Sequence, residues 1–171
     1  MFVKLSAALV LFAVPFVSFS AYADDAAQCQ SNQGTFVLGT VTDTPVFVSS
    51  KSKIHGYPLS HTRLHVQTDD NKTLEVDIDN VFAAGYTKGK QIPDGLQAIT
   101  QGTKLDLCGQ SYSDGGGKNG IHFVHTNCGM TPSSSKPDGW VKIVASNGSV
   151  GDNLEAVQDH CNLFNKHIGN K

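Results

Sequence analysis

The strongest constraint on the fold is a pair of alternating segments separated by a short polar turn. In residues 61–67 (HTRLHVQ) and 73–79 (TLEVDID), apolar and polar side chains alternate one by one, and residues 69–72 lie between them. A period of two predicts half-buried β-strands, and the short connection predicts an antiparallel hairpin. The side chains expected on its buried face are Thr62, Leu64, Val66, Leu74, Val76 and Ile78.

A three-residue turn determines which polar side chains of this hairpin oppose each other. The expected cross-strand pairs, each with a carboxylate on the second strand, are His65 with Glu75, Arg63 with Asp77 and His61 with Asp79. Arg63 is the only arginine of the chain, and a guanidinium can hold a phosphate or carboxylate through two hydrogen bonds. A histidine beside a carboxylate could serve as a general base. The alternative is a solvent-facing ladder of opposite charges, worth about 0.2–1 kcal/mol per pair.

Further strands are expected on both sides of the hairpin. Residues 35–48 are rich in β-branched side chains but are broken by a proline, which predicts one bent strand or two short ones. Residues 103–108 and 121–128 predict the fourth and fifth strands, joined by the Gly-rich turn 114–120. Residues 140–145 could add a short strand.

The remaining segments predict helices. One short helix could fit within the irregular stretch 81–102, and apolar side chains recur at helical spacing in residues 152–164. The order is then three strands, a partly helical connection, two strands and a C-terminal helix over about residues 150–168. This is the order of an OB-fold, so the chain is predicted to be mainly β, a five-stranded Greek-key barrel with a C-terminal helix.

Residues 1–23 have the pattern of a secretory signal peptide. Lys4 precedes an apolar run over residues 5–19, and Ala21-Tyr22-Ala23 is the small-x-small pattern of a cleavage site. The run is short for a helix of about 20 residues that spans a bilayer, although an uncleaved N-terminal anchor is the alternative. No later segment is apolar enough to cross a membrane. Residues 24–171 are therefore predicted to be one domain in a secreted or periplasmic location.

Export changes the meaning of the four cysteines. In an oxidising compartment an even number of cysteines predicts up to two disulfides, with three possible connectivities. Cys108 and Cys128 end the two strands that flank the Gly-rich turn, so an antiparallel hairpin is expected to pair them. Cys161 lies on the apolar stripe of the predicted last helix, and Cys29 remains as its partner. Free thiols are the alternative.

Charge limits the class of partner. The formal net charge is −2, and loss of Lys4 with the signal makes it −3. No basic tail or block of like charges occurs. Non-specific affinity for nucleic acid depends on many Lys and Arg residues that neutralise phosphates, so such binding is not expected.

Two histidines in the expected fifth strand, His122 and His125, are further candidates for chemistry. An offset of three puts them on opposite faces of a straight strand, so one can point outward while the other enters the core or sits at a bulge. A buried histidine bonded to a backbone carbonyl is the simplest interpretation. The functional one places one of them beside His61 and Arg63, in a site that binds and protonates an oxyanion. These histidines have no recognised metal-ligand spacing, so neither a metal nor a cofactor is predicted.

Two lysines complete the set of candidate binding residues. Lys51 and Lys53 lie in the loop after the first long strand, and in OB-folds that loop borders the ligand face. They are therefore candidate ligand-binding residues together with Arg63. The alternative is that both are solvated side chains of a Ser- and Gly-containing loop.

A resemblance to a known family rests on two short motifs. Gly120-Ile121-His122-Phe123-Val124-His125, followed by Gly139-Trp140, together with His61-Thr62-Arg63, resembles the signature of an uncharacterised family of small bacterial OB-like proteins, the domain of unknown function 3465. The chain departs from that signature at Phe123, where the family has Trp. The resemblance spans roughly residues 34–142 and implies an OB-like barrel, but it implies no activity.

Two classes of function follow from these observations. The first is an exported, disulfide-stabilised binding module whose partner is a soluble ligand or protein: an oligosaccharide, an oligonucleotide or another anionic or oligomeric molecule. The second is a small secreted hydrolase of phosphodiesters, with His61 and either His122 or His125 as acid and base and Arg63 stabilising the anion. Convergence of His61, Arg63 and one of His122 and His125 in a cleft would favour the enzyme, and their dispersal would count against it.

Overall fold

A computed structural model describes residues 20–88 and 90–162 of the chain. One α-helix and nine strands are found there. In chain order they are α1 (Ser20–Ser31), β1 (Thr35–Val41), β2 (Val46–Val48), β3 (Lys53–Ile54), β4 (Tyr57–Pro58), β5 (His61–Thr68), β6 (Thr73–Asp79), β7 (Lys104–Ser113), β8 (Asn119–His122) and β9 (Trp140–Val144). Between β6 and β7 the chain forms two 3₁₀ turns, Asn80–Phe82 and Asp94–Leu96.

Five of these strands close into a barrel. The order around it is β1-β5-β6-β8-β7, and β7 returns to pair with β1. All neighbours are antiparallel except β6 and β8, which are parallel. The predicted OB-like five-stranded barrel is therefore confirmed. The two remaining strands of the sheet lie at its margins, with β2 against β5 and β9 against β7.

The predicted hairpin of residues 61–67 and 73–79 is confirmed, including its register. β5 and β6 pair His61 with Asp79, Arg63 with Asp77 and His65 with Glu75. Thr62, Leu64, Val66, Val76 and Ile78 are buried in the barrel, while Leu74 is only half-buried near its end. They pack against apolar side chains from the other barrel strands, chiefly Val37, Leu105, Leu107 and Ile121. A one-residue slip would turn this whole set toward solvent, which explains why the register is well determined.

The last two barrel strands differ from their predicted bounds. β7 continues past Cys108 to Ser113, and β8 ends at His122 instead of reaching Cys128. Phe123 has φ of 50°, in the left-handed region, and this conformation ends the strand. The chain then leaves the barrel wall.

This difference also overturns the predicted disulfide pairing. All four cysteines are bonded, but the pairs are Cys29–Cys108 and Cys128–Cys161. β7 and β8 pair Gln110 with His122, so Cys108 has no strand partner near residue 128. Cys108 instead faces α1, where it meets Cys29 beside Trp140.

The helix prediction was wrong about which end of the chain is helical. Residues 152–160 form turns and irregular structure, only residues 161 and 162 are helical, and the rest of the predicted helix lies outside the described residues. The backbone donors of this segment go to other elements: Leu154 N–H donates to Val141 and Val157 N–H to Phe82. The apolar residues of this segment recur because they contact the rest of the protein and not because the segment is helical. Leu154 packs on the core, and Cys161 is buried.

The α-helix lies instead at the N-terminal end of the described chain. α1 covers the outer face of β7 through the Cys29–Cys108 bond and the contact of Asp25 with Lys142 of the neighbouring β9. The predicted signal-peptide boundary at Ala23 falls inside α1 and stays a prediction. Within residues 20–88 and 90–162, no helix has the length and apolar character needed to span a bilayer.

Candidate functional site

The outward side chains of β5, β6 and β8 form one continuous surface, which we name the polar face. Cross-strand pairing places them in rows, because β6 lies between β5 and β8. Tyr112 of β7 completes the surface at one end. Its members are His61, Arg63, His65, Glu75, Asp77, Asp79, Tyr112 and His122.

Asp79 connects this face with the segment after β8. Its Oδ1 lies 2.9 Å from Nε2 of His61, and its Oδ2 lies 3.3 Å from Nε2 of His125. Burial by itself would raise the pKa of Asp79, but the hydrogen bonds with His125 and His61 outweigh it and hold that pKa well below its usual range. The hydrogen bond with Asp79 in turn raises the pKa of His61. One carboxylate thus orients two imidazoles.

His125 is the more buried of the two. Its side chain is 10% exposed, it stacks on the ring of Phe82 at 4.0 Å between centroids, and its Nδ1 lies 2.6 Å from the carbonyl of Thr126. Because a carbonyl only accepts, Nδ1 must carry a proton in this contact. The simplest interpretation from sequence, a buried histidine bonded to a backbone carbonyl, is therefore correct for His125, although the same ring also reaches Asp79.

Arg63 is held by its cross-strand partner. Its Nε and Nη2 donate to the two oxygens of Asp77 at 2.8 and 3.0 Å, and Nε lies 3.5 Å from Glu75. Glu75 also accepts a hydrogen bond from the Tyr112 hydroxyl at 2.8 Å. The Arg63 side chain is 36% exposed, and three of the five N–H donors of its guanidinium remain beyond those used on Asp77. It can therefore still meet a ligand, but its charge is already matched.

His65 extends the pairing to the loop before β2. Its Nδ1 lies 2.6 Å from Oδ2 of Asp43, and Oδ1 of Asp43 accepts the backbone N–H of His65. Asp43 did not emerge from the sequence as a site residue. No periodic signal identifies it, because its position depends on the bend between β1 and β2.

His122 differs from the other imidazoles of the polar face. Burial lowers its pKa, although Asp79 and Asp77 act in the opposite direction. Its ring meets Tyr112 edge-on, with centroids 5.2 Å apart. Tyr112 itself lies over Gly120, where an added Cβ would come within 2.4 Å of the phenol ring. Gly120 is therefore needed for this arrangement.

The left-handed residue Phe123 explains how two histidines three positions apart serve one site. His122 is the last residue of β8 and points outward, as the alternation requires. The turn at Phe123 then breaks the alternation, and His125 reaches Asp79 from the side. His61, Arg63, His122 and His125 thus converge around the two aspartates of β6. His61 and His122 have opposite protonation preferences, which is the combination that acid–base chemistry needs.

The two predicted lysines take no part in this convergence. Lys51 and Lys53 are exposed in and beside the small β3–β4 hairpin. Across the described part of the chain, neither forms an ion pair or a cation–π contact.

Behind the site lies a carboxyl group that sequence reasoning missed. Glu155 is fully buried, and both of its side-chain oxygens lack a hydrogen-bond partner among the described residues. Burial raises its pKa well above the usual value, and the charge of Asp79 adds to that shift. The predicted helix would have placed Glu155 off the apolar stripe, so its burial depends on the irregular path of residues 152–160.

Two cavities bear on where a ligand could sit. The larger, of about 840 Å³, is lined by residues that include Pro45, Phe47 and Leu96 and by none of the converging histidines. A small one of about 100 Å³, which we name the side pocket, borders Asp79 and His125. The side pocket borders Asp79 and His125, so it is the cavity considered for a ligand group although it is small.

The described residues contain no group of three or more His, Cys, Asp or Glu side chains placed to hold a metal ion.

Comparison of the chain with protein-family models gives no match, and comparison with curated proteins gives no significant match. The resemblance to the small bacterial family therefore stays a prediction, and inferences about function depend on the geometry of the polar face.

Proposed function

We propose that this protein is an exported binding module that takes an oligosaccharide on its polar face. OB-folds bind oligosaccharides and oligonucleotides on the face formed by their second and third strands. In this barrel those strands are β5 and β6, which carry six of the eight residues of the polar face. The proposed ligand therefore lies on the strands that bind ligands in OB-folds, and these strands also carry the paired polar side chains.

The observation that carries the proposal is the mutual pairing of the charged groups. Arg63 is paired with Asp77, His61 with Asp79, His65 with Asp43, and Tyr112 with Glu75. Side chains held in this way present donors and acceptors in set directions. They lose little further freedom when a ligand arrives, so each new hydrogen bond contributes more to affinity.

The same pairing favours an uncharged ligand over a phosphodiester. The polar face carries three carboxylates, at Glu75, Asp77 and Asp79, against one arginine that already bonds to one of them. Nucleic-acid affinity requires cations that are free to neutralise phosphates. Sugar hydroxyls instead need both donors and acceptors, and the rings of Tyr112 and Phe123 add half-buried apolar surface beside them.

The two disulfides support the proposed setting. Structural disulfides are typical of oxidising, extracytoplasmic compartments, and the chain has two, at Cys29–Cys108 and Cys128–Cys161. Secretion itself is part of the proposal and rests on the signal-peptide pattern of residues 1–23. N-terminal sequencing of the protein from its native host should begin at Asp24.

Calorimetric titration with a panel of neutral oligosaccharides tests the binding function. We expect binding by the wild type and at least about tenfold weaker binding by His122→Ala and by Arg63→Lys, because a mispositioned polar contact costs about 1–3 kcal/mol. Lys51→Ala, in a loop outside the polar face, is the matched control and should bind like wild type. If the two face variants also bind like wild type, the ligand lies elsewhere.

One observation favours a second function, hydrolysis of phosphodiesters. The hydrogen bond with Asp79 raises the pKa of His61 and burial lowers that of His122, so the two imidazoles of one face are shifted in opposite directions. His122 would accept the proton of the attacking hydroxyl or water, and His61 would give one to the leaving oxygen. Turnover of RNA with a bell-shaped pH profile, lost in both His61→Ala and His122→Ala, would establish this function in place of simple binding.

A further inference from the structure

The side pocket is a distinct feature beside the polar face, and its size limits what can occupy it. Its volume is about 100 Å³. Liquid water takes about 30 Å³ per molecule, so this space holds a group of roughly three or four non-hydrogen atoms. Pockets for whole drug-sized molecules are about 300–1,000 Å³. The side pocket therefore suits a substituent of a larger ligand and not a separate molecule.

The residues that line the side pocket determine which kind of substituent fits. Most of it is apolar and includes Leu59, Phe82, Phe123 and Met130. The polar groups are few: Asp79 as an acceptor, and His125, Asn127 and Lys136. A fitting group has an apolar end and, at its other end, both a donor and an acceptor.

Five small substituents that occur on sugars can be compared with this lining: phosphate, sulfate, carboxylate, O-acetyl and acetamido. A phosphate or sulfate has no apolar end, and a carboxylate would meet the ionised Asp79, whose pKa is held low by its two histidines. An O-acetyl group has an apolar end but no donor for Asp79. An acetamido group has a methyl end, an N–H donor and a carbonyl acceptor, and it contains four non-hydrogen atoms.

Asp79 connects the side pocket with the polar face. Its Oδ1 bonds to His61, which is on the face and 30% exposed, and its Oδ2 bonds to His125, which lines the pocket. A carboxylate has about four acceptor positions, so both contacts leave acceptor capacity for a ligand N–H. A sugar ring on the face next to His61 would thus bring its substituent to the pocket.

We propose that the side pocket receives the acetamido group of an N-acetylated amino sugar, so that the protein prefers N-acetylhexosamine oligomers over other neutral oligosaccharides. This inference rests on the proposed binding function and narrows its ligand class. The methyl group packs among the apolar walls, the N–H donates to Asp79, and the carbonyl accepts from Lys136 or Asn127.

Titration with matched trisaccharides tests it: tri-N-acetylchitotriose, its N-deacetylated form and cellotriose. We expect the acetylated trimer to bind about tenfold or more tightly than cellotriose, since one small apolar group in a pocket contributes 10- to 200-fold. Equal affinity for the acetylated trimer and cellotriose would overturn the pocket assignment while leaving the binding function intact. No binding of any oligosaccharide would overturn both.

A variant pair separates the pocket from general effects on the fold. Leu59→Phe adds a ring to the wall of the side pocket and should remove the preference for the acetylated trimer while retaining the affinity for cellotriose. Leu74→Phe is the matched control, because Leu74 is also half-buried but borders a different cavity. If Leu59→Phe keeps the full preference in a folded protein, as judged by circular dichroism, the acetamido group binds elsewhere.

Discussion

The two sides of the barrel shift the pKa values of their carboxyl groups in opposite directions. On the polar face, Asp79 is 15% exposed and has an imidazole on each oxygen. On the α1 side, Asp106 of β7 is fully buried; its Oδ1 accepts from Trp140 Nε1 at 2.6 Å, but its Oδ2 has no partner among the described residues. Burial raises the pKa of Asp106 to about 6, the Trp140 bond opposes this, and the carboxylate of Asp25 adds to it.

The difference shows that partners, and not burial alone, decide the charge of a carboxyl group. Both groups lose hydration, which disfavours ionisation. The hydrogen bonds with two imidazoles outweigh that effect at Asp79, whereas the hydrogen bond from Trp140 and the charge of Lys142 do not outweigh it at Asp106. The polar face is therefore a set of paired charges, whereas the α1 side holds a carboxyl group whose ionisation is disfavoured.

The largest expected effect comes from the disulfides, of which each side has one. Replacing Cys29 and Cys108 together by Ala should lower the free energy of unfolding by about 4–5 kcal/mol, and replacing Cys128 and Cys161 by about 3–4 kcal/mol, because the first bond closes the longer loop. Urea unfolding at pH 7 measures both. If the shorter loop proves the more stabilising, chain entropy does not govern the comparison.

Asp79→Asn tests the charged partnership on the polar face. We expect a loss of about 3 kcal/mol near pH 5–6, since removing one member of a buried ion pair leaves the other without its partner. The lowered pKa of Asp79 makes its contribution present above the ordinary carboxyl pKa and lost as pH falls through the folded pKa. The raised pKa of His61 makes its contribution present at low pH and lost as pH rises through its folded pKa.

Asp77→Asn is the matched control on the same strand. Its partner Arg63 is 36% exposed, so the expected loss is below about 1 kcal/mol. Chemical unfolding of the two variants across pH 4–9 compares them. Equal losses would mean that the two imidazoles add nothing to the pairing of Asp79.

Asp106→Asn should have the opposite sign at neutral pH. Because the folded pKa of Asp106 is raised to about 6, its stabilising effect is complete below the ordinary carboxyl pKa and is lost as pH rises through about 6. The variant should match wild type near pH 4 and exceed it by about 2 kcal/mol at pH 7.5. Asp94→Asn, at an exposed carboxyl, is the control for general effects of an Asp-to-Asn replacement. A destabilised Asp106→Asn at pH 7.5 would mean that partners stabilise the ionised form of Asp106 and that its folded pKa is not raised.

A small effect on the polar face is expected from Tyr112→Phe. The variant keeps the ring over Gly120 and removes only the hydroxyl that donates to Glu75. A loss of about 1 kcal/mol is expected, the usual contribution of one such hydrogen bond. The melting temperature measures it, and an unchanged value would show that Arg63 and solvent are enough for Glu75.

The polar face itself could be predicted from the sequence to a considerable degree. The register of β5 and β6 follows from strict alternation and a short turn, and with it come the three pairs of opposed polar residues. The participation of Asp43, Tyr112 and Glu155 could not be predicted in this way. Asp43 depends on a bend, Tyr112 on a strand longer than its apolar pattern indicates, and Glu155 on a segment without regular structure.

By itself, the sequence determined what depends on neighbours along the chain: alternation, turn length, strand order and therefore the OB-like barrel. Only the tertiary structure decided the features that depend on distant partners. Cys108 bonds to Cys29 because β7 runs beneath α1. Cys161 reaches Cys128 because residues 152–160 are not helical, and Leu154 and Val157 donate their backbone hydrogen bonds to Val141 and Phe82. The left-handed turn at Phe123 brings His125 to Asp79. The physical reason is the same in each case, since periodicity indicates which side chains are buried but not against which part of the chain they pack.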